Sequence, residues 1–88
     1  AARRHDVVIT EAFMYRHHPL VARARELAHD GTIGRLQGVR GTFSFVLDRP
    51  ADTRFDPEYG GGSLWDVGCY PVSFARTIVG ARPLSVQA

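Results

Sequence analysis

The chain has 88 residues, 44% of them apolar and 23% charged, a length that allows one small domain and excludes a self-contained two-domain enzyme. Eleven basic residues, all arginine, stand against nine acidic ones for a net charge of +2. No run of about 18 apolar residues occurs, so no helical membrane span is expected. Arg3-Arg4 is the only adjacent basic pair, which argues against a nucleic-acid-binding stripe.

Val7 to Phe13 is β-branched and apolar on both faces, which predicts a strand buried on both sides. Pro19 suits the first position of a helix, where its missing N–H costs nothing. Leu20, Val21, Ala24, Leu27 and Ala28 then recur at helical spacing, and Gly31 suits the C′ position, so a helix over 19–30 is predicted. From Leu36 to Leu47, Val39, Phe43, Phe45 and Leu47 fall on one face and Arg40, Thr42 and Ser44 on the other. That period of two predicts a long strand with one wetter face. Residues 48–62, with Pro50, Pro57 and the triplet Gly60-Gly61-Gly62, have no periodicity and predict a long functional loop. A second helix is expected from Ser63 to Gly80, with Leu64, Val67, Phe74 and Ile78 inward and a bend at Pro71. Leu84 and Val86 alternate with Ser85 and Gln87, as at the start of another strand. The sequence breaks off there, as if it were a piece of a longer sheet.

Chemistry concentrates in the stretch from Gly60 to Pro71. Asp66 and Tyr70 are four apart, so a helix would put both on one face as a carboxylate–phenol proton-transfer pair. Each also has a structural reading. Ser63-x-x-Asp66 is close to a capping box, and a tyrosine is commonly half-buried with its hydroxyl bonded. Arg16 and Arg54 each border a turn near the end of an element, where a solvated or ion-paired role is the ordinary one. Trp65 suits either ring stacking or core packing. His17 and His18 point different ways as neighbours and have no further ligand at metal spacing, so no metal site is expected. Cys69, the lone cysteine, reads as a small buried thiol and suits a reducing compartment such as the cytoplasm.

Two stretches together resemble the Gfo/Idh/MocA family of NAD(P)-dependent oxidoreductases. One is Glu11-Ala12-Phe13-Met14-Tyr15-Arg16-His17-His18-Pro19. The other is Arg54-x-Asp56-Pro57-x-x-Gly60-Gly61-Gly62-x-x-x-Asp66-x-Gly68-x-Tyr70-Pro71, some forty residues on. The tyrosine at position 70 is similar to the glucose–fructose oxidoreductase and dihydrodiol dehydrogenase branches. The resemblance implies an α/β fold, a partial open-faced sheet with helices on one face. It implies the last strand of a Rossmann domain over 1–18, and the linking helix and first part of the C-terminal domain over 19–88.

It further implies Tyr70 as the group exchanging the substrate hydroxyl proton, Asp66 as the acid holding substrate, and Arg16 and Arg54 beside the cofactor–substrate cleft. NAD or NADP is the implied cofactor, a sugar, polyol or cyclic diol the implied substrate. A homo-oligomer built through the C-terminal sheet is implied as well. The family's catalytic lysine and its glycine-rich dinucleotide fingerprint do not occur among these residues. The 88-residue chain alone is therefore expected to be inactive. The rival expectation is a non-catalytic module associating through the 36–47 strand.

Overall fold

The computed structural model describes residues 2–87. A single turn, α1 (Ala2–His5), ends at Asp6, which takes the left-handed conformation at φ 49°. The Val7 N–H returns to the Ala2 carbonyl at 3.3 Å and closes the end of the turn. A 3₁₀ turn, Met14–His17, leads into α2 (Pro19–His29). Pro19 occupies the first turn as expected, and His18 caps the helix. Its Nδ1 accepts from the Leu20 N–H at 3.1 Å, which places the proton of the neutral ring on Nε2. Gly31, at φ 87°, takes the chain away from α2 one residue beyond the Asp30 cap.

The second helical stretch differs from the expected uniform helix. It opens with a π-helical turn, Leu64–Gly68, in which the Cys69 N–H reaches back to the Leu64 carbonyl. An ordinary helix, α3 (Cys69–Val79), follows. Pro71 therefore stands in the first turn of α3, where its missing N–H is tolerated, and the wider turn precedes it. Gly80, at φ 72°, ends α3 with its N–H on the Arg76 carbonyl.

Helices α2 and α3 pack against each other, and Val21 and Ile78 are the buried apolar residues of the contact. The His29 Nε2–H donates to the Ile78 carbonyl at 2.8 Å, satisfying one of the orphan acceptors at the end of α3. The Tyr15 hydroxyl donates to Ser73 Oγ at 2.7 Å and ties the 3₁₀ turn to α3. Gly41 lets the 36–47 segment approach α3. A Cβ there would lie 2.9 Å from the Pro71 Cβ.

The expected α/β sheet is not formed: among the described residues there is no strand. Period-two alternation records a segment suited to one-sided burial, but a strand also needs a neighbour to accept and donate its ladder bonds. Segments 7–13, 36–47 and 84–86 do not pair with one another, and Val8 and Val46 are 93% and 90% exposed. The radius of gyration is 16.6 Å, against about 12 Å for a compact domain of this length. With no sheet, neither the sheet-mediated oligomer nor the sheet-mediated association module has its surface among the described residues. Leu64, expected to face inward, is 69% exposed, and Trp65, suited to either ring stacking or core packing, is 75% exposed. No helix is long and apolar enough to cross a membrane among the described residues.

Candidate functional site

The 48–62 loop is ordered by two aspartates that cap two short turns. Asp52 Oδ1 accepts from the Arg54 N–H at 3.0 Å and starts the 3₁₀ turn Thr53–Phe55. Asp56 Oδ1 accepts from the Glu58 N–H at 2.9 Å and starts the turn Pro57–Tyr59. The glycine triplet then folds the chain back. The Gly61 N–H meets the Asp56 carbonyl at 2.9 Å, and the Gly62 N–H meets the Arg54 carbonyl at 2.8 Å. Gly61 is the point of closest approach: a Cβ there would sit 2.6 Å from the Asp56 carbonyl oxygen and 2.7 Å from that of Arg54. Gly62 takes φ 121°, a conformation closed to ordinary side chains.

This folding carries Arg54 to the π-helical turn. Arg54 Nε donates to Asp66 Oδ1 at 3.1 Å, and Nη1 donates to Asp52 Oδ2 at 3.1 Å. The guanidinium also lies 6.0 Å from the centre of the Phe45 ring. Its pKa is raised, first by the Asp66 hydrogen bond and then by the charge of Asp52. Arg54 is thus a permanent cation shared by two carboxylates. The capping-box reading of Asp66 fails, because the Ser63 side chain makes no capping bond and the Asp66 carboxylate is engaged by Arg54.

Tyr70 stands on the first turn of α3 inside an aromatic cluster. Its ring meets Phe13 at 5.3 Å and Phe43 at 5.2 Å, both edge-to-face, and Tyr15 at 6.3 Å. Edge-to-face pairs of this kind contribute about 0.5–1.5 kcal/mol each beyond area burial and fix the ring plane. The ring is half-buried, and the hydroxyl has no hydrogen-bond partner among the described residues, unlike Tyr15, whose hydroxyl is spent on Ser73. Tyr15, Phe43, Tyr70, Pro71 and Phe74 wall a mainly apolar concavity of about 490 Å³, large enough for a small organic ligand.

The four residues singled out in the sequence fall into three places. Asp66 and Arg54 are brought together. Tyr70 is in the aromatic concavity, and no hydrogen bond joins it to Asp66 among the described residues. Arg16 lines a different concavity, beyond the Tyr15–Ser73 bond. Sequence reasoning missed Asp52, whose signal was the Asp-x-Arg spacing of a capped turn. It also missed Phe43 as a wall of the Tyr70 concavity, a contact made across 27 residues and invisible in local periodicity.

Residues 21–88 match the GFO/IDH/MocA C-terminal domain model. The chain belongs to this family. It is 51% identical over 75 residues to a D-xylose 1-dehydrogenase (NADP(+)) of Haloferax volcanii, covering 84% of this chain and 23% of that protein. It is 35% identical over 88 residues to a trans-1,2-dihydrobenzene-1,2-diol dehydrogenase of Xenopus tropicalis, covering 99% of this chain and 26% of that protein. A dTDP-3,4-didehydro-2,6-dideoxy-alpha-D-glucose 3-reductase of Actinomadura kijaniata is 31% identical over 80 residues, covering 91% and 24%. The chain spans about a quarter of the length of these curated relatives. No solved structure matches it significantly.

The family implies a nicotinamide cofactor. The aromatic concavity beside Tyr70 has room for a flat ring, with Phe43 and Phe74 as apolar walls. No Gly-x-Gly-x-x-Gly cradle for a dinucleotide occurs in this sequence.

Proposed function

We propose that the full-length protein is an NAD(P)-dependent dehydrogenase acting on the hydroxyl-bearing carbon of a sugar, polyol or diol, and that this chain carries its proton-handling residues. The observation behind this reading is the Tyr70 hydroxyl: half-buried, held by three aromatic neighbours and without a partner among the described residues. A phenol so placed can take or return the proton of a substrate hydroxyl once a nearby cation lowers its high intrinsic pKa. The bound nicotinamide ring supplies the hydride acceptor or donor. Asp66, held in one orientation by Arg54, accepts hydrogen bonds from substrate hydroxyls, and Asp52 keeps Arg54 in place. Arg54 therefore acts through Asp66 as a positioning residue. Arg16 contributes positive charge from beyond Tyr15.

The NADP(+) in the name of the Haloferax relative favours NADP, and its D-xylose favours a pentose substrate. Residues 1–18 would close the nucleotide-binding domain and residues 19–88 open the C-terminal one. A free Cys69 fits a cytoplasmic setting.

The test is to assay the full-length protein with NADP+ against D-xylose and against a trans-dihydrodiol, following absorbance of the reduced cofactor. Reduction of NADP+ with either substrate supports the proposal. Binding of cofactor with no turnover of any hydroxylated substrate would overturn it.

A further inference from the structure

A second concavity, of about 370 Å³, is lined by Arg16 from the 3₁₀ turn, Arg25 from α2, and Ser73, Arg76 and Thr77 from α3, with Arg82 on the tail. Its chemistry is opposite to that of the aromatic concavity. Four exposed arginines from four separate segments line it, and no acidic residue is among the lining residues. Elsewhere among the described residues, Arg23 pairs with Glu26 at 2.9 Å, and Arg54 with Asp52 and Asp66. Among the described residues none of the four lining arginines makes an ion pair within 4 Å.

The ordinary account of arginines here is that they offset the negative end of α3. That end carries only about half an elementary charge, too little to answer four cations. One of its carbonyls, that of Ile78, is already taken by His29. The helix end therefore answers little of the positive charge that these four exposed side chains bring to the rim of one hollow. Hydroxyls complete the lining. Ser73 Oγ accepts from Tyr15, which leaves its own proton to donate, whereas the Thr77 hydroxyl is spent on the Ser73 carbonyl at 2.9 Å.

We propose that this concavity binds a phosphate-type oxyanion. Such a group carries about 1.5 to 2 negative charges near neutral pH and several strong acceptor oxygens. The planar fork of arginine matches it in two-point hydrogen bonding, which a lysine could not do. The hollow backs onto the aromatic concavity, with Tyr15 in one wall and Ser73 in the other, joined by their 2.7 Å hydrogen bond. A small molecule carrying a phosphate would hold its charged group at the arginines, on the far side of that bond from Tyr70. The site stands on its own geometry and does not depend on the dehydrogenase reading.

The test is calorimetric titration of the full-length protein with inorganic phosphate, at constant ionic strength and low chloride. It is repeated on an Arg25→Gln/Arg82→Gln pair and on an Arg3→Gln/Arg4→Gln pair, which loses the same charge elsewhere. Binding to the parent and to the Arg3/Arg4 pair, weakened about tenfold or more in the Arg25/Arg82 pair, supports the site. Arg82→Gln alone, on the exposed tail, gives a second reading that does not disturb the helix contact and is expected to weaken binding about threefold. Equal weakening in both pairs would reveal diffuse charge and overturn the proposal, as would no binding at all. A lower melting temperature of the Arg25/Arg82 pair without phosphate binding to the parent would mean that an acidic side chain fills the hollow, which also overturns it. Glucose 6-phosphate, titrated beside glucose, separates the sources. Tighter binding than phosphate through the same arginines marks a group borne on a sugar, and equal binding marks free phosphate.

Discussion

Replacing Gly61 by alanine would put a methyl carbon 2.6 Å from the Asp56 carbonyl oxygen, 2.7 Å from that of Arg54 and 2.8 Å from the Asp56 nitrogen. All three are backbone atoms, so no side chain can rotate away, and the loop must open. Overpacking of this kind costs about 1–3 kcal/mol. Opening would release the Gly61–Asp56 and Gly62–Arg54 hydrogen bonds, worth about 0.5–1.5 kcal/mol each. The closed loop should therefore lose about 1–3 kcal/mol relative to the open one, a factor of about five to 160 in population. Arg54 would no longer be delivered to Asp66. The assay is amide hydrogen exchange of Gly61 and Gly62 in the full-length protein, with kcat/KM measured on the same preparation. Protection at both amides should fall by about fivefold or more and kcat/KM should fall with it. Gly38→Ala is the control: a Cβ there meets nothing within 4 Å and its backbone is not left-handed, so it should be neutral or slightly stabilising. Unchanged protection in Gly61→Ala, or equal losses in both variants, would refute the role given to the loop.

Ile78→Ala removes one of the two buried apolar side chains among the described residues and should cost about 2–5 kcal/mol, read as a lower denaturation midpoint. Tyr15→Phe deletes the donor to Ser73 but keeps the ring against Phe13 and Phe74. It should cost about 1 kcal/mol while leaving the aromatic cluster intact, as near-ultraviolet circular dichroism would show. Asp30 is held below its ordinary value of 3.8, first by a side-chain hydrogen bond from Thr32 and then by the Thr32 N–H. A carboxyl depressed on folding stabilises the folded state above its unfolded pKa, and that stability is lost as pH falls through the folded value. An NMR titration should give Asp30 a midpoint below 3.8, and Thr32→Ala should move it upward.

The parts of the fold legible in the sequence were those set by local chemistry. Pro19 and Gly31 bracket α2 because a proline tolerates a helix start and a glycine a left-handed exit. Gly80 ends α3 for the same reason. A continuous apolar run at 7–13 and alternation at 36–47 and 84–86 predict strands, but pairing is a relation between segments, and no segment among the described residues supplies it. Asp66 shows the limit most directly. Its spacing from Ser63 suggested a cap, whereas its partner, Arg54, lies twelve residues back and reaches it only through the turns made by Asp52, Asp56 and the glycine triplet. The Tyr70 cluster likewise joins residues 13, 43 and 70, a juxtaposition no short window contains. Family resemblance pointed to Tyr70 and Asp66 together, and the geometry separates their surroundings into an apolar cup and an ion-pair network.

The most direct measurement is the pH dependence of kcat/KM for Tyr70→Phe beside the parent full-length protein, with the affinity for NADPH followed by fluorescence. The ring and its edge-to-face contacts survive that change, and only the hydroxyl is lost. Loss of a positioned proton donor predicts a fall of about 10²–10⁴ in kcat/KM, disappearance of the ionisation that limits the parent rate, and unchanged cofactor binding. A variant that keeps the parent rate and pH profile would contradict the assignment of proton transfer to Tyr70.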